Sequence, residues 1–259
     1  MLRELSIAIK YWDVYYFLAL HDVKSRFRRS RLGILWIVIQ QLAYAAGAGF
    51  IWSNVFGVNA SEFIPFLTVG VAIWSFIAAS MIDGSTTFVL AHGYLKQLPL
   101  PQSLFIFRTV LTQGLYLFIG LSTAVIVLIF FDKFSLLGTI YSIPGVCILL
   151  IYFYGASGAL AYLGIRYRDL QHALTSIFSM LFLLTPVMYP PEVLIKKGIA
   201  IVVYGNPFAS LIEIVRHPLI HHQFADYLHY VSATLFTIVM IIIRFYAAKK
   251  WERFVPFWS

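Results

Sequence analysis

Charge is what this chain has least of. Asp, Glu, Lys and Arg make up 12% of its 259 residues, about half the share found in soluble domains. With 61% hydrophobic residues and a mean hydropathy of +0.84, that scarcity excludes an ordinary globular surface. Cysteine is nearly absent: Cys147 stands alone in an apolar run, which excludes an intramolecular disulfide and a cysteine-rich metal site. No G-x-x-x-x-G-K-[ST] occurs, so a phosphate-cradling loop is missing, and neither H-E-x-x-H nor G-x-S-x-G is present. Strict alternation of apolar and polar residues is also missing, which excludes a membrane-spanning strand barrel. The aromatic content of 17% excludes a disordered polymer. What remains is an all-α polytopic membrane protein, with length for about six crossings at roughly 20 residues each.

Charge-free runs locate the crossings at Leu32–Ser61, Phe63–Ile82, Thr109–Phe131, Phe134–Ile165, Leu170–Pro191 and Tyr227–Ile243. A shorter run, Gly198–Ile212, carries Gly205, Asn206 and Pro207 in its middle and reads as a broken or re-entrant segment between the fifth and sixth spans. A cytoplasmic N-terminus leaves only Lys133, Lys196, Lys197 and Arg216 of the nineteen basic residues on the outer side. The net charge of +8 is then membrane topology, and nucleic acid is not a partner. The expected organisation is a single transmembrane domain over 1–259. Residues 1–31 form a cytoplasmic interfacial helix, 32–247 the six-helix membrane region and 248–259 a cytoplasmic tail. No cleavable signal peptide is expected, since the first strongly apolar stretch is a full span.

Before the first span, Trp12, Tyr16, Ala19, Leu20, Val23 and Phe27 fall on one helical stripe. Lys10, Asp13, His21, Lys24 and Arg28 fall opposite. Such a helix lies among lipid headgroups, either as a collar that touches a cytoplasmic partner or as a plain lipid anchor. Between the second and third spans, Gly93 and the Pro99/Pro101 pair bracket Tyr94–Leu98, room for one short amphipathic helix. It reads either as a groove-seeking elbow or as a tight connection. After the fourth span, Arg166 and Arg168 follow the positive-inside rule, and Asp169 is placed to cap the next helix.

Polar and aromatic residues inside the spans are the candidates for function. Asp83 is the one carboxylate within a helical run, followed by Gly84, Ser85, Thr86 and Thr87; it lines a transport path or sits at the inner interface. Trp36, Tyr44, Trp52, Trp74 and Tyr116 either stack on sugar rings in a channel or anchor span ends. His217, His221 and His222 with nearby Asp226 are a metal set or, more simply, interfacial histidines.

Asp22-Val-Lys-Ser-Arg-Phe-Arg-Arg-Ser30 followed by Leu32-Gly33-Ile34-Leu35-Trp36 resembles the approach to the first span in type-2 ABC exporters of bacterial polysaccharides. Further landmarks follow in order: Gly70 with Trp74, Arg168-Asp169, Thr185-Pro186 with Tyr189, and Asn206-Pro207 followed by Arg216. The resemblance covers nearly the whole chain, with one departure. Gln40-Gln41 stands where many relatives have a proline, and two amides in apolar surroundings need a neighbouring helix or a polar channel.

The resemblance implies a transport subunit, not an enzyme, in the cytoplasmic (inner) membrane with both termini inside. It implies a homodimer, with two copies of a separately encoded ATPase that carry the ATP and Mg; this chain holds no cofactor. The cargo implied is lipid-linked polysaccharide of the O-antigen, capsule or teichoic-acid type. Tyr94, Leu95, Lys96, Gln97 and Leu98 become the ATPase-coupling elbow. Trp12, Tyr16, Lys24, Arg26, Arg28 and Arg29 become the interfacial helix beside the substrate gate, in contact with membrane lipids. Gln40, Gln41, Tyr44, Trp52, Trp74 and Asp83 are the substrate-path candidates, and Pro186–Arg216 the short helices that dip in from outside. Two other readings compete: export of a small amphiphile or drug by the same machinery, and a membrane enzyme for lipid-linked substrates using His217, His221 and Asp226.

Overall fold

A computed structural model describes residues 6–7, 10–28, 30–97, 100–196, 198–199 and 203–258. Among them the regular structure is helical. The helices are α1 (Trp12–Arg26), α2 (Leu35–Phe56), α3 (Ala60–Leu90), α4 (His92–Gln97), α5 (Gln102–Phe130), α6 (Leu136–Arg166), α7 (Leu170–Leu184), α8 (Pro191–Lys196), α9 (Pro207–His221) and α10 (Tyr227–Trp251). A 3-10 turn, Glu252–Phe254, leads into α11 (Val255–Trp258). Among the described residues, five helices are long and apolar enough to cross a bilayer: α2, α3, α5, α6 and α10. Apolar α7 has 15 residues, about 22 Å at 1.5 Å per residue, short of the roughly 30 Å hydrocarbon core.

Local chemistry sets the breaks. α2 ends at Gly57, whose φ of +65° is the left-handed closure that glycine adopts without penalty. α7 stops because Thr185 precedes Pro186 and is held extended, at φ −93° and ψ 138°. The fifth apolar run therefore yields a helix to Leu184, not to Pro191. α9 starts sharply: the Asn206 side chain accepts hydrogen bonds from the Phe208 and Ala209 amides, and Pro207 occupies the first turn, where no N–H is needed. Asp226 caps α10 by accepting from the Leu228 amide. Asp169 holds the corresponding position before α7, but its carboxylate makes no capping bond.

Lipid offers no hydrophobic drive for helices to associate, so contact depends on small residues that let backbones approach. α6 is the hub on this account, packing on α3, α5, α9 and α10. A Cβ at Gly145 would lie 2.3 Å from the Ile214 carbonyl oxygen of α9, and one at Gly164 would lie 1.8 Å from the Ser85 carbonyl oxygen of α3. The main core joins α3, α6 and α9 through Ile73, Phe76, Tyr152, Phe153, Leu211 and Ile214. A second cluster closes the end that carries α4. There Phe88, Leu104, Phe105, Tyr162 and Ile165 pack with Val255, so the C-terminal segment folds back onto the bundle.

Helix α9 runs antiparallel to the first half of α6 and is buried along most of its length. Arg216, counted by charge on the outer side, is 1% exposed inside the bundle. It donates to Glu213 and to the carbonyls of Pro186 (2.9 Å) and Val187 (3.3 Å), and it covers the Phe66 ring at 4.0 Å. A cation can occupy that site because its partners are built around it, information that charge counting does not contain.

Candidate functional site

A cavity of about 710 Å³ lies between α2, α3, α5 and α7. Its wall combines Trp36, Tyr44, Trp74 and Tyr116 with the amides of Gln40, Gln41 and Gln113 and the hydroxyls of Thr175 and Ser179. Of the substrate-path candidates, Gln40, Gln41, Tyr44 and Trp74 come together here. Trp52 does not; its ring stacks on Phe56 at 5.5 Å near the far end of α2. Asp83 is also outside the wall. About 35 Å along α3 from Ala60, it accepts a 2.5 Å hydrogen bond from Gln113 and lies 3.9 Å from Arg26, both of which line the cavity.

The wall is held by specific contacts. Gln41 is buried, and its Nε2 donates to the Thr68 carbonyl of α3 (3.3 Å) and the Gly120 carbonyl of α5 (3.1 Å), clamping α2 to both. Its neighbour Gln40 faces the open side. Trp74 packs between Phe178, Phe182 and Phe208, with centroids 5.7–6.2 Å away. The Tyr44 hydroxyl donates to Met188 Sδ at 3.4 Å. Trp36 donates to Ser30 Oγ at 3.1 Å, and the Gly33 amide uses the same oxygen at 3.2 Å, which fixes the turn into α2. Gln41→Leu keeps the volume and removes both clamps. It is expected to cost about 1–2 kcal/mol, read as a lower thermal midpoint of the purified protein; an unchanged midpoint would show the clamp to be idle.

The N-terminal helix packs on the bundle beside its predicted stripe. Ala19 and Val23 of that stripe are buried, while Trp12 and Tyr16 are exposed, as residues facing lipid are, their rings 6.1 Å apart. The packed face holds Tyr11, Val14, Tyr15 and Leu18, with Tyr15 against Phe107 at 5.7 Å. That packed face continues to Asp22, whose carboxylate accepts a bidentate pair from Arg108 of α5 at 2.6 and 2.5 Å. Periodicity cannot see a partner 86 residues away. Lys24 and Arg28 remain exposed, while Arg26 turns toward Asp83 and the Tyr116 ring, 5.3 Å from its guanidinium. Arg29 lies outside the described residues.

The elbow is α4, exposed apart from half-buried Leu95. Tyr94 leans on Phe105 at 6.1 Å and under the Arg108 guanidinium at 6.0 Å; Lys96 and Gln97 point outward. Leu98 lies outside the described residues. Beside the elbow, Gln102 donates to the Glu252 carbonyl at 2.8 Å, and Arg166 covers Trp258 at 5.4 Å. Elbow, N-terminal helix and C-terminal segment therefore share one end of the molecule. At the other end, His217 and His221 have ring centroids 4.6 Å apart. Among the described residues no group of three His, Cys, Asp or Glu side chains is arranged to hold a metal.

Residues 14–220 match the family model described as ABC-2 type transporter. The chain belongs to that family. It is a permease, a transport subunit without a catalytic domain, and permeases of this kind pair with an ATPase subunit. It is similar to two proteins of Klebsiella pneumoniae named O-antigen export system permease protein RfbA. One is 25% identical over 93% of this chain and 96% of the relative, the other 24% identical over 92% and 95%. A Myxococcus xanthus protein of the same name is 21% identical over 87% of each chain.

Sequence reasoning gave no role to Gln113 or Arg108 in this permease, and named Asp22 only as the first residue of a landmark. Gln113 carried a usable signal, an amide inside an apolar run. Arg108 did not, because it looked like ordinary positive-inside charge.

Proposed function

We propose that this permease forms the membrane part of an ATP-driven exporter that moves lipid-linked polysaccharide across the cytoplasmic membrane. The observation that carries the reading is its likeness, along nine-tenths of the chain, to permeases named for O-antigen export. The cavity chemistry agrees with it. A polar polymer that must slide is better served by many weak contacts than by one tight site. Aromatic faces with scattered amides and hydroxyls supply such contacts.

In this reading the chain crosses six times, the short α7 being completed by the extended stretch from Thr185 to Tyr189. An even number of crossings puts both termini on one side. The elbow, Arg166, Arg168 and the basic end of α10 share that end, which the positive-inside rule makes cytoplasmic. α9 enters from the outside and returns. Two copies pair in this reading, a pairing supported by the exposed apolar residues that α2 and α7 carry beside the cavity, among them Leu35, Phe50, Met180 and Leu183. Each copy docks its elbow on one ATPase subunit, where ATP and Mg are bound.

Reconstituting the permease with its ATPase in vesicles is expected to give ATP-dependent transfer of a lipid-linked polysaccharide. Transfer of small amphiphiles alone would overturn the cargo assignment. Replacing Tyr94 and Leu98 together by alanine is expected to lower export at least tenfold, since the elbow must deliver the free energy that favours one membrane arrangement over another, while membrane insertion stays intact. Undiminished export in that double variant would remove the elbow from the mechanism.

A further inference from the structure

We infer that Arg108 is a positioning residue that locks the elbow helix α4 to the N-terminal helix α1, so that displacement of the elbow reaches Arg26 at the cavity mouth. The inference rests on the elbow being the ATPase contact and adds to that reading the route by which its motion is passed on.

Arg108 sits near the start of α5, with its side chain 16% exposed. Its Nε and Nη2 hold both carboxylate oxygens of Asp22, and its guanidinium faces the Tyr94 ring. One planar group is thus bidentate to α1 and lies over an aromatic ring of α4, 6.0 Å from its centroid. A fork that donates two parallel bonds fixes orientation as well as distance, which a point charge does not. Between Asp22 and the helix start the α1–α5 contact is apolar and permits sliding: Tyr15 on Phe107, with Ala19 buried.

Asp22 and Arg26 are four residues apart and share a face of α1. The turn gripped by Arg108 is followed directly by the turn whose guanidinium lies at the cavity wall, 3.9 Å from Asp83 and over Tyr116. Asp83 is held in turn by Gln113, five residues further along α5 than Arg108. The two ion pairs have opposite polarity: α1 offers an acid then a base, and the bundle answers with Arg108 then Asp83. A slip of α1 by one turn would oppose like charges, so the pattern enforces one register. α1 therefore transmits a push and does not merely float in the headgroups.

The test uses the permease–ATPase complex in vesicles with two variants that preserve shape, Asp22→Asn and Arg108→Lys. Each is expected to lower export per ATP hydrolysed by about tenfold, within the range of coupling free energies between sites. Their combination is expected to fall no further, because both cut the same link. A second readout places paired labels on Phe17→Cys of α1 and His92→Cys of α4, in a Cys147→Ser background. Their separation stays constant across nucleotide states in the native chain and becomes nucleotide-dependent with Asp22→Asn. Native export per ATP in either variant, multiplying losses in the combination, or a separation that follows nucleotide in the native chain would each overturn the inference. A native complex that exports no polysaccharide defeats the functional reading instead, and the label distances still decide the Arg108 link.

Discussion

Arg216→Ala is expected to destabilise the folded permease by about 3–5 kcal/mol, the cost of leaving a buried charge without its partner. Arg216 is 1% exposed and its ion-pair partner Glu213 is 6% exposed. Removing the guanidinium strands the Glu213 carboxylate inside the bundle. It also strips the donors from the Pro186 and Val187 carbonyls, where the chain leaves α7. Those carbonyls belong to a stretch that is neither helix nor strand, so they have no ladder to fall back on. Combining Arg216→Met with Glu213→Leu deletes both charges and keeps the volume, and should cost clearly less than the single alanine change. Thermal unfolding of the purified protein, followed by tryptophan fluorescence, measures both. If the double change were the worse of the two, Arg216 would be acting through packing and not through charge compensation.

Gly164→Leu carries the second large effect, a loss of about 3 kcal/mol or more from overpacking. Even the first carbon of a side chain there would meet the Ser85 carbonyl oxygen at 1.8 Å, the Ser85 carbonyl carbon at 2.7 Å and its Cα at 3.1 Å. All three are backbone atoms of α3, so no rotamer change relieves the clash, and α3 and α6 must separate. Their separation opens the cavity wall, since α3 contributes Val71, Ala72, Trp74 and Ser75 to it. Gly47→Ala is the control. It lies within α2 with nothing within 4 Å of an added Cβ, and alanine should gain up to about 1 kcal/mol there from helix propensity. Equal midpoints for the two variants would sink the claim that close α3–α6 approach holds the bundle.

How far the sequence could be read depended on the range of the interaction involved. Membrane character, span positions and the absence of a phosphate-cradling loop are sums over contiguous residues, and a bilayer imposes them on any chain that crosses it. The break at Asn206-Pro207 was legible for the same reason, because an amide cap and a proline act within one turn. The ordered landmarks from Asp22 to Arg216 led to the right family by resemblance.

Contacts between distant residues were not legible. Gln41 was seen to need partners, but that they are carbonyls on two different helices, one of them 79 residues away, depends on how α2 leans on α3 and α5. Periodicity gave α1 its stripe but not the face by which it meets the bundle, Tyr11, Val14, Tyr15 and Leu18, because the Asp22–Arg108 pair joins residues 86 apart. The burial of Arg216 was not legible, because its compensation comes from Glu213 and from Pro186 and Val187, around 30 residues upstream. The sequence by itself determined the solvent of this protein and its long apolar helices. The tertiary structure alone decided which amides and rings share a cavity and which charges are buried. The first set follows from adding up local hydropathy. The second arises only when helices far apart in sequence close around one another and leave each polar atom to its nearest partner.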